Sequence, residues 1–387
     1  RREKMKKIFL TTITLLSMAS ASVFGMYGVD TDWINFLTHG NQFRARLDQL
    51  GFTLGNDTIK GTFGFDNNTG FGGAYGGLLV DNDGTHYSFV PSISMGLGYT
   101  SSLISVGVGY SATIGKQIKK YNGGATQDKT VNKSAHTPVL VLNAMDNAFR
   151  MAIPIQVYVD NDKLDGGGYD NKMAVSVDSQ FRYYTGLDAL PQVRLYLRYG
   201  LYQNETKATK DAEKVKTKYG ESFGFDFRLY FGSMVEEVAL QPLVKLAYDG
   251  ALGNYHANTR IQAVKAMNGD YATVNYGGGV WNLTLMTGLG LTANSDIISL
   301  YLEPQLGLQV TRKAPTTSPD AGGTGAPTPA SIASDSYGLA YNVYAEIYIT
   351  PLKNLEWYFE AQLGSGANQN SLVFNGTTGI TWYLPAL

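Results

Sequence analysis

The sequence contains no cysteine and little charge. None of its 387 residues is Cys, and only 16% are Asp, Glu, Lys or Arg, against about 25% in an average globular protein. The lack of cysteine excludes a disulfide-bonded scaffold, a thiolate metal site, a cysteine nucleophile and a lipid-modified amino-terminal cysteine. The hydrophobic share of 44% excludes a disordered chain. After the first 25 residues no apolar run approaches the roughly 20 residues of a transmembrane helix.

The amino-terminal 25 residues have the pattern of a secretory signal peptide. Two lysines follow Met5, and an apolar run over 8–16 precedes a group of small residues. We expect cleavage after Ala21 or Gly25, and residues 1–4 precede the expected start. Removal of this leader leaves 26 basic and 31 acidic residues, so the net charge changes from −1 to −5. An acidic mature chain lacks the basic surface that a nucleic-acid partner requires.

Along the rest of the chain, apolar residues recur at every second position. Ile93, Met95 and Leu97 alternate with serine and glycine, and Leu306 and Leu308 alternate with glutamine and glycine. A period of two predicts β-strands with one apolar face. Comparable runs lie near 103–115, 138–144, 149–159, 172–184, 192–202, 222–231, 238–248, 280–292, 338–350, 356–364 and 371–384, and weaker ones lie at 42–54, 58–65 and 72–80.

Strand length separates the two folds that have such strands. A soluble sandwich buries the apolar faces in a core and has strands of about 5–6 residues, whereas an outer-membrane barrel turns them to lipid and needs about 9–11. Most runs reach the longer figure, and short connections alternate with long ones as in outer-membrane barrels. We therefore predict an all-β fold, an antiparallel transmembrane β-barrel of the outer-membrane type. It has about 16 strands (14 as the alternative), short periplasmic turns and long external loops.

The predicted organisation is a signal peptide at 1–25, a short segment at 26–41 and a single barrel domain at 42–387. Aromatic residues at the strand ends predict two girdles at the level of the lipid headgroups. The alternative is that aromatic residues simply favour strands. The girdle candidates are Tyr99, Tyr183, Phe231, Trp357 and Trp382 at the periplasmic end, and Tyr248, Trp281 and Tyr341 at the external end.

Charged residues on the opposite parity are the candidates for a pore lining. Closure of the barrel would place a basic wall opposite an acidic one, and the resulting transverse field would orient solutes and set ion preference. The alternative is that these charges pair locally and only keep the lumen wet. The candidates are Arg150, Lys172, Arg182, Arg194, Arg198, Arg228 and Lys245 on the middle strands, and Glu303, Glu346 and Glu360 on later strands.

Other residues give weaker indications of chemistry. His86, His136 and His256 lie near predicted external strand ends, where histidine could serve as a base or ligand, but no Ser or Asp accompanies them at motif spacing. The runs at 81–84 and 160–166 could bind calcium weakly or form ordinary turns. We expect no catalytic residue, no metal site, no cofactor and no enzymatic activity.

Two amino-terminal segments carry a family resemblance. Residues 5–28 (MKKIFLTTITLLSMASASVFGMYG) and 32–52 (DWINFLTHGNQFRARLDQLGF) resemble the variable surface proteins of the spirochaete Brachyspira. The resemblance implies an abundant, antigenic outer-membrane protein and brings no catalytic motif. Separately, the low-complexity loop at 314–334 is rich in Pro, Thr, Ala and Gly. On the cell exterior it would be an antibody target, or it would fold inward over the pore.

The expected function is that of a surface-exposed integral outer-membrane β-barrel, a porin-like water-filled channel and variable surface antigen. The alternative is a non-conducting surface antigen or adhesin that acts through its external loops, and an outer-membrane hydrolase is less favoured. The expected partners are outer-membrane lipid, small hydrophilic solutes or ions, and host antibodies or host surfaces. Barrels of this size often form homo-oligomers, but no interface can be identified from the sequence.

Overall fold

The computed structural model describes residues 50–56, 58–67, 91–101, 103–114, 118–120, 129–235, 238–253, 259–263, 279–313, 334–352, 355–365 and 372–382. The predicted signal peptide, the segment at 26–41, and His86 and His256 lie outside these ranges. The strands are β1 (Leu50–Gly55), β2 (Ile59–Asn67), β3 (Pro91–Thr100), β4 (Ile104–Ile114), β5 (Ile118–Lys120), β6 (Lys129–Val131), β7 (Lys133–Ala144), β8 (Phe149–Leu164), β9 (Tyr169–Tyr184), β10 (Gln192–Lys207), β11 (Val215–Tyr230), β12 (Ser233–Val235), β13 (Val238–Ala251), β14 (Trp281–Asn294), β15 (Ile298–Lys313), β16 (Ser334–Leu352), β17 (Leu355–Ser365) and β18 (Leu372–Trp382).

All the long strands belong to one antiparallel sheet in which each pairs with the next along the chain. The short strands β5, β6 and β12 extend hairpins at the sheet ends. In the described ranges, 14 strands have nine or more residues, the length that a tilted strand needs to cross a bilayer. This number equals the lower of the two predicted strand counts. β2 pairs directly with β3, and the weak run at 72–80 lies outside the described residues.

The two faces of the sheet reverse the polarity of a soluble protein. On β15, Leu306 and Leu308 are 55% and 66% exposed, whereas Glu303 is 1% exposed. On β3, Ile93 is exposed, whereas its neighbour Ser94 is buried and donates a hydroxyl hydrogen bond to Ser111 on β4 at 3.1 Å. An apolar outer face suits lipid, and a polar inner face suits a lumen. The period-two prediction of the two faces is confirmed.

The inner face curls round a central space. Arg228 on β11 lies 3.6 Å from Glu303 on β15, although two strands separate β11 from β15 along the wall. A cavity of about 180 Å³ is lined by side chains of β10, β11, β13, β15, β16 and β17. Contact across so many strands requires a strongly curved sheet, as in a barrel. Within the described ranges no pairing joins β1 to β18. The same ranges include no helix with the length and apolar character needed to span a membrane.

The connections differ in length at the two ends of the sheet. Short turns such as 145–148 and 295–297 lie at one end. At the other end, β8, β9, β10 and β11 continue as hairpins closed by four and seven residues, so these two connections are shorter than the long external loops that the sequence predicts. Polar cross-strand contacts stabilise these extensions, among them a 2.6 Å hydrogen bond from the Tyr169 hydroxyl to Glu205. This hydrogen bond holds the pKa of the Glu205 carboxyl below its ordinary value.

Aromatic residues mark the short-turn end on the outer face. Tyr99, Tyr183, Phe231 and Trp357 are 38–49% exposed there. The Trp357 indole donates a hydrogen bond to Thr378 at 2.9 Å, so its ring has one polar and one apolar edge. These four residues occupy the positions that the periplasmic girdle requires.

The continuous pairing of the strands predicts that boiling changes the mobility of the protein on a gel. A sheet of this kind leaves few backbone groups for water or detergent to solvate, so the folded protein should resist sodium dodecyl sulfate until it is boiled. We expect the unboiled protein to migrate faster than the boiled protein on the same gel. Equal mobility of the two samples, for protein purified from membranes in mild detergent, would contradict the barrel.

Candidate functional site: a charged belt in the lumen

Five cationic side chains lie side by side on the inner face. The strand register sets Arg150 opposite Arg182, Arg182 opposite Arg194, Arg194 opposite Arg228, and Arg228 opposite Lys245. Directly opposed like charges destabilise a sheet. The row therefore depends on groups that offset the charge, and these come from neighbouring rows and from the far wall.

Asp226 offsets the charge at the β11–β13 end of the row. It is 1% exposed and accepts two hydrogen bonds from Arg228, at 2.8 and 2.9 Å. Lys245 lies 3.3 Å away and Arg198 lies 3.8 Å away. One carboxylate thus serves three cations on three strands, which makes it the most connected acidic group of this wall.

Glu303 joins the basic wall to the later strands. Its carboxylate lies 3.6 Å from Arg228 and accepts a 3.2 Å hydrogen bond from the Tyr230 hydroxyl, both on β11. On its own strand it accepts hydrogen bonds from Tyr301 and Gln305. The acidic residue is therefore held from both sides of the lumen. The predicted separation into a basic and an acidic wall is only partly realised, since acids stand between the cations and reach across to them.

Tyrosine rings stack on the arginines of the row. Arg194 lies 4.3 Å from the ring centre of Tyr230, and Arg228 lies 5.0 Å from that of Tyr196, so the two neighbouring strands exchange diagonal cation–π contacts. These tyrosines are not among the candidates predicted from the sequence. A signal was present, because an arginine is followed two residues later by a tyrosine at 182–184, 194–196 and 228–230.

A second cluster lies two inward positions from the cationic row, toward the long-loop end. Arg198 donates to both carboxylate oxygens of Asp249, at 2.9 and 3.0 Å, and lies 3.8 Å from Asp178. Asp178 also accepts a 2.7 Å hydrogen bond from Arg260. Arg260 belongs to the connection between β13 and β14 rather than to a strand, so a loop residue takes part in the lumen charges.

The segment 259–263 that carries Arg260 lies inside the lumen. The Ile261 N–H donates to the Ser222 hydroxyl at 2.8 Å, and the Ala263 N–H donates to the Ser176 hydroxyl at 3.0 Å. Ile261 and Ala263 are each 2% exposed and pack against tyrosines of the wall. Gly200 makes this approach possible, because a Cβ there would collide with the backbone of Ile261. The sequence carries no period that indicates an inward fold of this loop.

We call this set the lumen belt: Arg150, Arg182, Arg194, Arg198, Arg228, Lys245 and Arg260, with Asp178, Asp226, Asp249 and Glu303. Seven of the ten pore candidates belong to it. Lys172 lies outside it, at the long-loop end, 3.8 Å from Asp170. Glu346 is 1% exposed on the inner face and accepts a hydrogen bond from Tyr344. The side chain of Glu360 is not among the described groups.

The weaker candidates have ordinary partners. Asp160 and Asp162, considered for calcium, face Lys133 at 3.7 Å and Lys129 at 2.5 Å. His136 contacts Tyr110 at 2.6 Å and Ser134 at 3.1 Å. Within the described ranges, no group of three His, Asp or Glu side chains is arranged to hold a metal ion.

Loss of the Asp226 carboxylate should destabilise the folded protein. In Asp226→Asn, Arg228 and Lys245 keep their burial but lose their shared ion pair with Asp226, which costs about 3 kcal/mol for a buried pair. We expect a lower midpoint in a urea titration followed by gel mobility, whereas Asp335→Asn, which removes an exposed carboxylate, leaves the midpoint unchanged. Equal midpoints for the two variants would show that Asp226 does not offset the row.

Several solved structures have a similar arrangement of strands. The chain is similar to the ferric-catecholate import receptor Fiu from E. coli K12 in its open form (9% identity, TM-score 0.41, 86% of this chain and 58% of that one). It is also similar to the copper transporter OprC (9%, 0.42, 84% and 48%) and to the translocator domain of the autotransporter NalP from Neisseria meningitidis (14%, 0.30, 74% and 90%). The chain spans 58% and 48% of the lengths of the first two proteins. No curated protein matches the sequence.

A family model gives the most extensive match. It is described as the Serpulina hyodysenteriae variable surface protein and covers residues 6–383. The match confirms the resemblance carried by the amino-terminal segments and extends it over nearly the whole chain. The family, together with an antiparallel sheet whose strands have lipid length and an apolar outer face, makes this an outer-membrane protein. The chain belongs to the Serpulina hyodysenteriae variable surface protein family.

Proposed function

We propose that this protein is a surface-exposed, porin-like channel for small hydrophilic solutes or ions, and that the lumen belt forms its narrow passage. The observation that supports the proposal best is the cavity of about 180 Å³ at the belt. Arg198, Arg228, Lys245 and Arg260 line it together with Asp226 and Glu303, and amide and phenol groups of β10, β16 and β17 line the remainder. A space bounded by ionised groups favours water over apolar material.

The inserted segment 259–263 narrows this passage without filling it with apolar side chains. Ile261 and Ala263 are turned to the wall, and Arg260 faces the cavity. A charged side chain at the narrowest part of a pore lies close to each passing ion, so it has a large effect on ion selectivity. The segment therefore combines a packing role with a selectivity role.

The balance of charge in the belt favours anions. Its described members include seven Arg or Lys residues and four Asp or Glu residues, and the strand register brings five of the cations together. A net positive constriction lowers the barrier for anions and raises it for cations.

Reconstitution into planar bilayers tests the channel. We expect discrete conductance steps with a reversal potential in a salt gradient that indicates anion preference. In Arg260→Gln the steps should be larger and less uniform, because the segment loses its 2.7 Å contact with Asp178, and the anion preference should fall.

Lys210→Gln is the matched control, since it removes an exposed cation of the β10–β11 loop and should leave both quantities unchanged. Heat-modifiable protein that gives no conductance steps would exclude the channel while leaving the barrel intact. Equal ion selectivity in the wild type and in Arg260→Gln would show that Arg260 does not act on the passing ions.

A role as a variable surface antigen is the second candidate, and the family description supports it. In this form of the proposal, host antibodies or host surfaces bind the external loops. The barrel serves as the scaffold of these loops, whether or not it conducts. The described hairpin of β10 and β11 also supports it, because its tip at 208–214 carries exposed Thr, Lys, Asp and Glu side chains. Loops vary more readily than the strands that carry them.

Deletion of residues 314–334 tests the antigen and adhesin role. We expect serum raised against the intact protein to bind cells that express the wild type, and binding to fall when the loop is deleted while the barrel remains heat-modifiable. Unchanged binding of serum and of host surfaces would exclude this loop as the principal exposed determinant.

Catalysis is not part of the proposed function. His136 does contact a serine hydroxyl, but its other ring nitrogen contacts the phenol of Tyr110. In hydrolytic triads the corresponding partner is a carboxylate or an amide that orients the imidazole and stabilises its charge. We therefore attribute the contact to the packing of β4 against β7.

A further inference from the structure

The geometry points to a binding site for phosphate on the inner face of β8, β9 and β10, near the short-turn end. Its donors are Arg150, Arg182 and Arg194, with the amides of Gln180 and Gln192. The inference concerns binding rather than conductance, so it does not depend on the channel being open or on the choice between channel and antigen.

The first observation is a group of buried hydrogen-bond donors that the protein does not use. Arg194 is 1% exposed, and within the described ranges no protein group accepts a hydrogen bond from its Nε or Nη1. The same holds for Nη1 of Arg150 and Nε2 of Gln192, which belong to residues that are 8% and 3% exposed. Buried donors of this kind nearly always have a partner in native proteins.

Gln180 adds an acceptor as well as a donor. It is 1% exposed, and neither atom of its amide has a partner within the described ranges. An amide that is unused at both its oxygen and its nitrogen matches a ligand that both accepts and donates hydrogen bonds. Hydrogen phosphate has this combination, since it carries an O–H group, whereas sulfate at neutral pH only accepts.

The second observation is the charge of the patch. In the described part of the chain, no carboxylate lies within 4.0 Å of Arg150 or Arg194. The acids of the lumen belt are already engaged, Asp226 by Arg228 and Lys245, and Glu303 by Arg228. Within the described ranges, Arg150 and Arg194 at the β8–β10 end of the cationic row therefore form no ion pair with the protein's own acids, and an oxyanion would pair with them.

The register places the donors around one row of arginines. Arg150, Arg182 and Arg194 stand opposite one another on adjacent strands, which are about 4.8 Å apart. Gln180 lies one inward position from Arg182 on the long-loop side of the row, and Gln192 lies one inward position from Arg194 on the short-turn side. Guanidinium and amide N–H groups at these spacings suit the several oxygens of a tetrahedral oxyanion.

Thermal stability gives a direct test, because a ligand that binds only the folded state raises its unfolding temperature. The folded full-length protein in detergent is heated in increasing sodium phosphate, with sodium chloride used to hold the ionic strength constant, and the midpoint is read from gel mobility. We expect a saturable rise with phosphate and a smaller rise with sulfate. In Arg194→Gln the apparent affinity for phosphate should fall about tenfold or more, since hydrogen bonds to a charged group are lost.

Arg312→Gln is the matched control, because it removes an exposed arginine outside the lumen and should keep the wild-type response to phosphate. No saturable rise in the wild type, or the same rise in Arg194→Gln as in the control, would overturn the proposal. If Arg194→Gln does not fold, phosphorus-31 line broadening with the wild type decides the matter. Saturable broadening of the phosphate signal that an excess of arsenate reverses supports the site. If the signal does not broaden, the proposal is overturned. None of these readouts changes if the protein fails to conduct.

Discussion

The alignment of five cationic side chains across adjacent strands is the constraint on which the inner face depends. Each strand shows opposite faces to lipid and lumen, so a shift of one residue in any hairpin would turn its arginine or lysine outward. On the lipid face of a barrel such a residue costs from about 0–1 kcal/mol near the interface to about 2–4 kcal/mol at the bilayer midplane. The charges therefore help to fix the register, and the register in turn forces them into one row.

The row is tolerated because different groups offset different parts of it. Asp226 and Glu303 act at the β11–β13 end through hydrogen bonds and ion pairs, and tyrosine rings act along its middle through stacking. Tyrosine suits this position, since its ring attracts a guanidinium while its hydroxyl reaches a carboxylate. Tyr230 does both, with Arg194 on one side and Glu303 on the other. The abundance of tyrosine in the sequence thus has a structural reason inside the lumen as well as in the girdle.

The sequence was sufficient to predict the faces but not the contacts between strands. Alternation alone assigned Arg194 and Glu303 to the inner face, because a period of two separates lipid-facing from lumen-facing residues without reference to any neighbour. Alternation gives no information about the register of neighbouring strands or the curvature of the sheet. It could not show that Asp226 serves Arg198, Arg228 and Lys245, nor that Glu303 reaches Arg228.

The inward position of 259–263 was unpredictable for a different reason. A loop that packs on a wall carries no period of its own, and its fit depends on a glycine that lies elsewhere in the sequence, Gly200. Two of the predicted long loops are shorter than expected, since polar cross-strand pairs extend β8 to β11 past the end of the apolar alternation.

The location of the lumen belt separates the residues that hold the lumen together from the connections that are free to vary. Almost all of its members belong to strands, and its cationic row lies toward the end with short turns. The long connections lie at the other end, so most changes in them leave the charge contacts of the lumen untouched. The connection that holds Arg260 is different, because its packing on Gly200 and its hydrogen bonds to Ser222, Ser176 and Asp178 tie it to the wall. A barrel built in this way permits variation in its external loops while one of them remains bound to the structure of the lumen.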